Sequence, residues 1–134
     1  MTRLGVIFCV GLRREAAIVQ DILETNYFEV VSILCKAGRV SKEELGLDRT
    51  HQIDMQAKQE SMCNPLLQAE IANHYEVELN ILLGLCVGHD SLFIKQADGF
   101  CTVLAVKDRL LGHNPLAAIY QYHGYYRRLK APLP

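Results

Sequence analysis

Asn80-Ile81-Leu82-Leu83-Gly84-Leu85-Cys86-Val87-Gly88-His89-Asp90-Ser91 is the stretch whose reading decides the fold. Residues 80–85 make an almost unbroken apolar run, the pattern of a strand buried on both faces. The run passes through a glycine turn into a short amphipathic helix over 91–97. A buried strand that ends this way delivers the thiol of Cys86, the imidazole of His89 and the carboxylate of Asp90 to one point. The same grammar recurs at Met62-Cys63-Asn64-Pro65 and at Gly112-His113-Asn114-Pro115.

Working outward, residues 4–10 read as a first strand, with Gly11 permitting a tight turn. Residues 13–24 read as a helix whose apolar face includes Ala16, Ala17, Ile18, Ile22 and Leu23, although neither Leu12 nor Arg13 is a good N-cap. Residues 28–34 form a second strand ending at Cys35. A strand–helix–strand unit of this length implies parallel strands joined by a right-handed crossover. Ser41 and Glu44 are spaced as a capping box opening a single turn that Gly46 ends. Residues 48–61 are polar apart from Ile53 and Met55 and read as a long exposed loop. Asn64 as N-cap and Pro65 at the first helical position then start a helix that reaches His74. After the third strand and its helix, Asp98-Gly99 turns the chain into a fourth strand over 100–106. A loop over 107–112, a repeated Asn114-Pro115 cap and a stripe of Leu116, Ala117, Ile119 and Tyr120 follow, with Gly124 ending the helix and 125–134 forming a tail.

Strands alternating with helices in this way specify an α/β fold: one domain over 1–134, built as a three-layer, open, mostly parallel four-stranded sheet of Rossmann-like type, helices on both faces. The expected strand order is 2-1-3-4, which places a topological switch point between the first and third strands. Ligands of such sheets bind at the carboxyl ends of the strands beside that crevice. On this sheet Cys35, Cys86 and His89 fall at the carboxyl edge, and Asp108, Arg109 and His113 lie just beyond the fourth strand. Cys63 precedes a helix whose N-terminus faces the same edge.

Composition narrows the function classes. The 134 residues are 50% hydrophobic and 22% charged, ordinary values for a globular chain, and the net charge of −1 offers nothing to nucleic acid or an anionic membrane. No apolar run approaches the ~20 residues of a spanning helix, and Met1-Thr2-Arg3-Leu4 does not open a signal peptide, so the cytoplasm is the expected compartment. In a reducing compartment, five cysteines without a CxxC pair point to metal binding, catalysis or burial rather than disulfides.

Cys35, Cys63 and Cys86, at element ends, are candidate ligands for a soft metal (zinc or iron) or an Fe–S cluster, with His89 as a fourth ligand or supporting partner. Cys9 and Cys101, inside apolar strands, read as core packing. Helix N-termini at Asn64, Asp90 and Asn114 attract anions, and with Asp108, Arg109 and His113 they would line a pocket for a small anionic ligand such as a nucleotide or phosphate ester. Asp90 and the two Asn-Pro pairs serve equally as helix caps, and Lys107-Asp108-Arg109 as a surface ion pair. A third reading is a thiol enzyme with Cys86 or Cys63 as nucleophile and His89 or His113 as base. Tyr120, Tyr122, Tyr125 and Tyr126 look like a packing face or a contact in a homo-oligomer.

Three stretches carry a family resemblance: 62–70 (Met62-Cys63-Asn64-Pro65 through Gln68-Ala69-Glu70), 84–95 (Gly84-Leu85-Cys86-Val87-Gly88-His89-Asp90-Ser91 through Lys95) and 106–115 (Val106-Lys107-Asp108-Arg109 through Gly112-His113-Asn114-Pro115). They resemble a family of uncharacterised prokaryotic proteins, a domain of unknown function labelled as predicted metal-binding, and residues 4–12, 28–35 and 44–47 resemble it too. The resemblance implies a metal site but no reaction. Family members usually carry an N-terminal segment with clustered cysteines, which this sequence lacks, so a short relative or a fragment is expected. A proline-glycine turn expected before Met62 is also missing from residues 54–61.

Overall fold

β1 (Arg3–Phe8) takes the central position that its apolar sequence suits. It pairs with β2 (Glu29–Leu34) on one side and β3 (Leu79–Leu83) on the other, and β4 (Phe100–Ala105) completes the sheet. The order is β2-β1-β3-β4 and every pairing is parallel, the fold class and order expected. The computed structural model describes residues 1–132, so the last two positions of the tail over 125–134 lie outside the described residues.

Alternate residues of β1 serve opposite layers, as the pleat requires. Val6 packs with Leu12, Ala16 and Leu83 under α1 (Arg13–Thr25). Ile7 packs with Ile33, Leu82, Ala69, Ala72 and Phe93 under α2 (Pro65–His74) and α3 (His89–Gln96). Both faces of the sheet are therefore covered at β1, as a parallel sheet needs, while the edge strand β4 keeps Val103 and Leu104 exposed.

α2 starts and ends where its sequence signals say. Asn64 Oδ1 accepts from Leu67 N at 2.9 Å, and Pro65 fills the first turn. Its Gln68 is fully buried and donates through Nε2 to Ile33 O at 2.8 Å and Phe8 O at 3.5 Å, tying the helix to the carboxyl ends of β1 and β2. The Ser41–Glu44 capping box closes in both directions, at 3.0 and 3.2 Å.

Other boundaries move. β1 stops at Phe8, and residues Val10–Leu12 form a 3₁₀ turn instead of continuing the strand. β3 stops at Leu83 because Gly84 adopts φ +61°, and a Cβ there would stand 2.1 Å from Leu12 Cδ1. α3 begins at His89 rather than 91, with Gly88 (φ +91°) as its N-cap. Asp90 is thus not the cap; its Oδ1 accepts from Gly88 N and Ser91 N within that turn. α4 (Leu116–Tyr120) is five residues long, and its N-cap is Pro115 with no side-chain bond, so Asn114 does not repeat the cap made by Asn64. The 48–61 loop is exposed along most of its length, but Gln52 and Glu60 turn inward. β4 carries one extra residue against β3, since Leu82 pairs with Val103 and Leu83 with Ala105. Among the described residues no helix is long and apolar enough to cross a membrane.

Gly84 gives a direct test of this packing. Gly84→Ala forces an L-residue into the left-handed region against Leu12, at a backbone cost of about 1–3 kcal/mol before any clash. Urea denaturation is expected to show a lower midpoint with an unchanged m-value.

A thiol-lined cavity as the candidate functional site

At the carboxyl edge of the sheet, the chain makes a long excursion between β2 and α2 and folds it back on itself. Asn64 N donates to Cys35 O at 2.8 Å, Met62 N to Val40 O at 2.8 Å and Lys42 N to Glu60 O at 2.9 Å, with Ser41 and Ser61 bridged antiparallel. The two arms run side by side, which sets Cys35 against Cys63 although 28 positions separate them, with Sγ atoms 3.7 Å apart. Lys42 Nζ meets Glu60 Oε1 at 2.9 Å with both side chains nearly sealed from water, and Glu60 Oε2 also accepts from Ile53 N at 2.7 Å. The Lys42 ammonium, followed by the Ile53 and Asp54 amides, holds the Glu60 carboxyl below its usual range.

The thiols form a row. Cys63 is partly exposed, Cys35 is buried behind it, and Cys9, also buried, continues the line. Val10 N donates to Cys35 Sγ at 3.3 Å, and Lys107 Nζ reaches Cys9 Sγ at 2.7 Å. Gly11 makes room for that lysine, since a Cβ there would stand 3.3 Å from Nζ. Cys35 is pushed up from the ordinary thiol value by Cys63, then by Cys9 and by burial. Hydrogen bonding with Cys35 brings Cys63 down to about 6; the same neighbour, helped by Lys107, brings Cys9 down to about 4. Cys35 is thus the thiol of the row that holds its proton most tightly. Burial raises Cys86.

The row borders a cavity of about 610 Å³ whose wall includes Cys9, Cys63, Cys86, His89, Lys36 and Arg109. That volume suits a small-molecule site. Of the residues singled out from sequence, the fold gathers Cys63, Cys86, His89 and Arg109 into this wall and sets Cys35 behind it. Asn64 caps α2 at its rim. Asp90, Asp108, His113 and Asn114 are not in the wall. Asp108 Oδ1 accepts from Leu110 N and Leu111 N, and Asp108 N donates to His113 Nδ1 at 3.1 Å, so these two side chains hold their own loop. Among the described residues no hydrogen bond joins His89 or His113 to Cys63 or Cys86. Tyr120 and Tyr125 are exposed rather than packed.

Cys9 is the core residue its sequence setting suggested, yet it is also the inner end of the row. Lys107, read from sequence as part of a surface ion pair, is its partner. Nothing local announces that contact, which spans 98 positions. Cys101 stays outside the row, its Sγ near Gly99 O at 3.6 Å.

An open parallel α/β sheet with thiols converging beside its switch point defines the class. The chain belongs to the family described as "Protein of unknown function (DUF1847)", whose model matches residues 1–104. The third motif stretch, 106–115, lies beyond that span. The chain is also 42% identical over 118 residues to an uncharacterised protein of Methanocaldococcus jannaschii, a match covering 88% of this chain and 58% of the relative. It thus spans little more than half of that curated relative. No solved structure matches.

The Lys42–Glu60 pair generates a prediction with a definite sign. A carboxyl depressed by folding stabilises the fold above its unfolded pKa, and that contribution fades as pH falls through the folded value. Lys42→Met leaves the Glu60 carboxylate without its cation, so the variant is expected to be less stable wherever that carboxylate is ionised. Denaturation at a series of pH values is expected to show the gap between variant and wild type narrowing on acidification below the carboxylate range.

Proposed function

We propose that the thiol row binds a thiophilic metal, zinc or iron as a single ion or within an Fe–S cluster, with Cys35 and Cys63 as its fixed pair. The observation that carries this reading is their 3.7 Å sulfur separation. Thiolates bound to one zinc at about 2.3 Å in a tetrahedron stand about 3.8 Å apart. The amide of Val10 directed at Cys35 Sγ is the kind of support that orients a ligand sulfur. Among the described residues no three His, Cys, Asp or Glu side chains stand ready as a metal-holding group. In this reading the pair anchors the metal, and Cys86 and His89 in the cavity wall supply the remaining contacts. Such a metal would stabilise the carboxyl edge and offer Lewis-acid or electron-transfer capacity to whatever enters the cavity. A cytoplasmic setting, where thiols remain reduced, belongs to the same proposal.

The test is elemental analysis of protein purified anaerobically. Wild type is expected to carry zinc or iron, Cys35→Ser and Cys63→Ser to lose nearly all of it, and Cys101→Ser to retain it. Metal-free wild type would overturn the reading.

One observation favours a second reading, a small anionic ligand in the same cavity. Lys42 is neutralised by Glu60, which leaves Lys36 and Arg109 facing the single carboxylate of Asp54 across the wall. Here side-chain cations, rather than the helix N-termini at Asp90 and Asn114, would hold the anion. Thermal-shift screening against phosphorylated metabolites is expected to raise the melting temperature of wild type and not that of Arg109→Gln. No response from wild type would remove this reading.

A further inference from the structure

The same pair of sulfurs carries a chemistry that needs no metal. We propose that Cys63 and Cys35 are a thiol–disulfide exchange pair that reduces small anionic disulfides, Cys63 attacking and Cys35 resolving. Cys63 is partly exposed in the cavity wall, whereas Cys35 is sealed beneath it. An incoming disulfide therefore meets Cys63 first. Cys63 also lies one residue ahead of the Asn64 cap of the ten-residue α2, where the positive end of the helix dipole favours a thiolate.

The backbones are already in place for the bond. The 2.8 Å contact from Asn64 N to Cys35 O and the bridge between Ser41 and Ser61 fix the two arms against each other. Moving the sulfurs from 3.7 Å to a disulfide length of about 2.05 Å is a side-chain displacement on pinned backbone. Cys9 also lines the cavity, but it is buried and its sulfur is engaged by Lys107, whereas Cys63 is the partly exposed thiol of the pair.

The steps balance. The Cys63 thiolate attacks one sulfur of R–S–S–R; that bond breaks, RS⁻ leaves, and Cys63 carries a mixed disulfide. Cys35 then attacks Cys63 Sγ and gives up its proton, the Cys63–SR bond breaks, and RSH departs. Two electrons pass from the protein dithiol to the substrate, which ends as two thiol products, and the protein ends as the Cys35–Cys63 disulfide. Any external dithiol can return it to the reduced form. The substrate class follows from Lys36 and Arg109, wall cations that form no ion pair among the described residues, whereas Lys42 is taken up by Glu60. A carboxylate-bearing disulfide of modest size fits that charge and a cavity of about 610 Å³.

This inference does not rest on the metal reading, and each can fail alone, because the exchange is measured on reduced full-length protein held in chelator. The protein is mixed with oxidised glutathione, hydroxyethyl disulfide or cystamine, quenched with an alkylating agent and read by intact mass and unreduced peptide mapping. Wild type is expected to lose two hydrogens without retaining an adduct, and its map to show Cys35 joined to Cys63. Cys35→Ser is expected to trap the mixed disulfide on Cys63, and Cys63→Ser to leave the disulfide unreduced. Oxidised glutathione should react about tenfold faster than cystamine at low salt, with the difference shrinking as salt is added. A stable adduct on wild type, an adduct mapping to Cys86 or Cys9, or cystamine reacting as fast as oxidised glutathione would overturn the proposal. Because the linked peptide is read from wild type, the result stands even if Cys35→Ser fails to fold.

Discussion

The short backbone bond from Asn64 N to Cys35 O, 2.8 Å long, is the constraint on which the site depends. It is the innermost of the ties that close residues 36–63 on themselves, and loop closure alone would not choose which residues meet. With it, and with the buried Lys42–Glu60 pair further out, the insertion becomes a two-armed strap lying antiparallel on itself. One arm leaves β2 at Cys35 and the other enters α2 at Cys63, so the two thiols meet where the arms join the fold. Gln68 locks this from below, since its amide donates to Phe8 O, the last carbonyl of β1, and to Ile33 O, the last but one of β2. The thiol pair is thus held by ties between elements, not by its own sulfur contacts.

Sheet order then decides what else arrives there. In a β2-β1-β3-β4 sheet the chain leaves β1 toward one face and β3 toward the other, which opens a crevice beyond their carboxyl ends. Cys9 follows β1, Cys35 follows β2, Cys86 and His89 follow β3, and Lys107 follows β4. They come from the segments that follow four different strands, so no short motif contains the site. The extra residue in β4 at Leu104 lies just upstream of Lys107, and bulges of this kind re-aim the chain next to functional edges.

Much of the fold was legible because local chemistry and global topology agreed. Asn64-Pro65 specified the start of α2, and Ser41 with Glu44 specified a capping box that both partners complete. Alternation of strand and helix patterns was enough for the parallel order. The misplaced boundaries share one cause: apolar character persists where backbone geometry has already changed. Leu85 is buried, so the run through it looked like strand, but Gly84 had turned left-handed before it. In the site, Cys35, Cys63, Cys86 and His89 were readable because they end elements and the topology brings such ends together. Lys107 on Cys9 was not, since 98 positions separate them and each has an ordinary local explanation. Asp108, His113 and Asp90 looked like ligands because the residues that close tight turns are the same types that bind metals and anions.

Electrostatics limits how protons can be shared along a row of thiols. Three thiolates side by side in a partly buried setting would repel, and three neutral thiols would leave the Lys107 ammonium without an anion. The arrangement that eases both favours the proton on the central Cys35 and the thiolate form at Cys9 beside Lys107 and at Cys63. The central proton is the replaceable part. A thiophilic cation entering beside it would bind the same electron pairs, and a disulfide arriving at Cys63 would release it to the leaving thiol. The proposed metal binding and the proposed thiol exchange would therefore make two demands on one proton, and the sealed position of Cys35 would make Cys63 the point of entry for either.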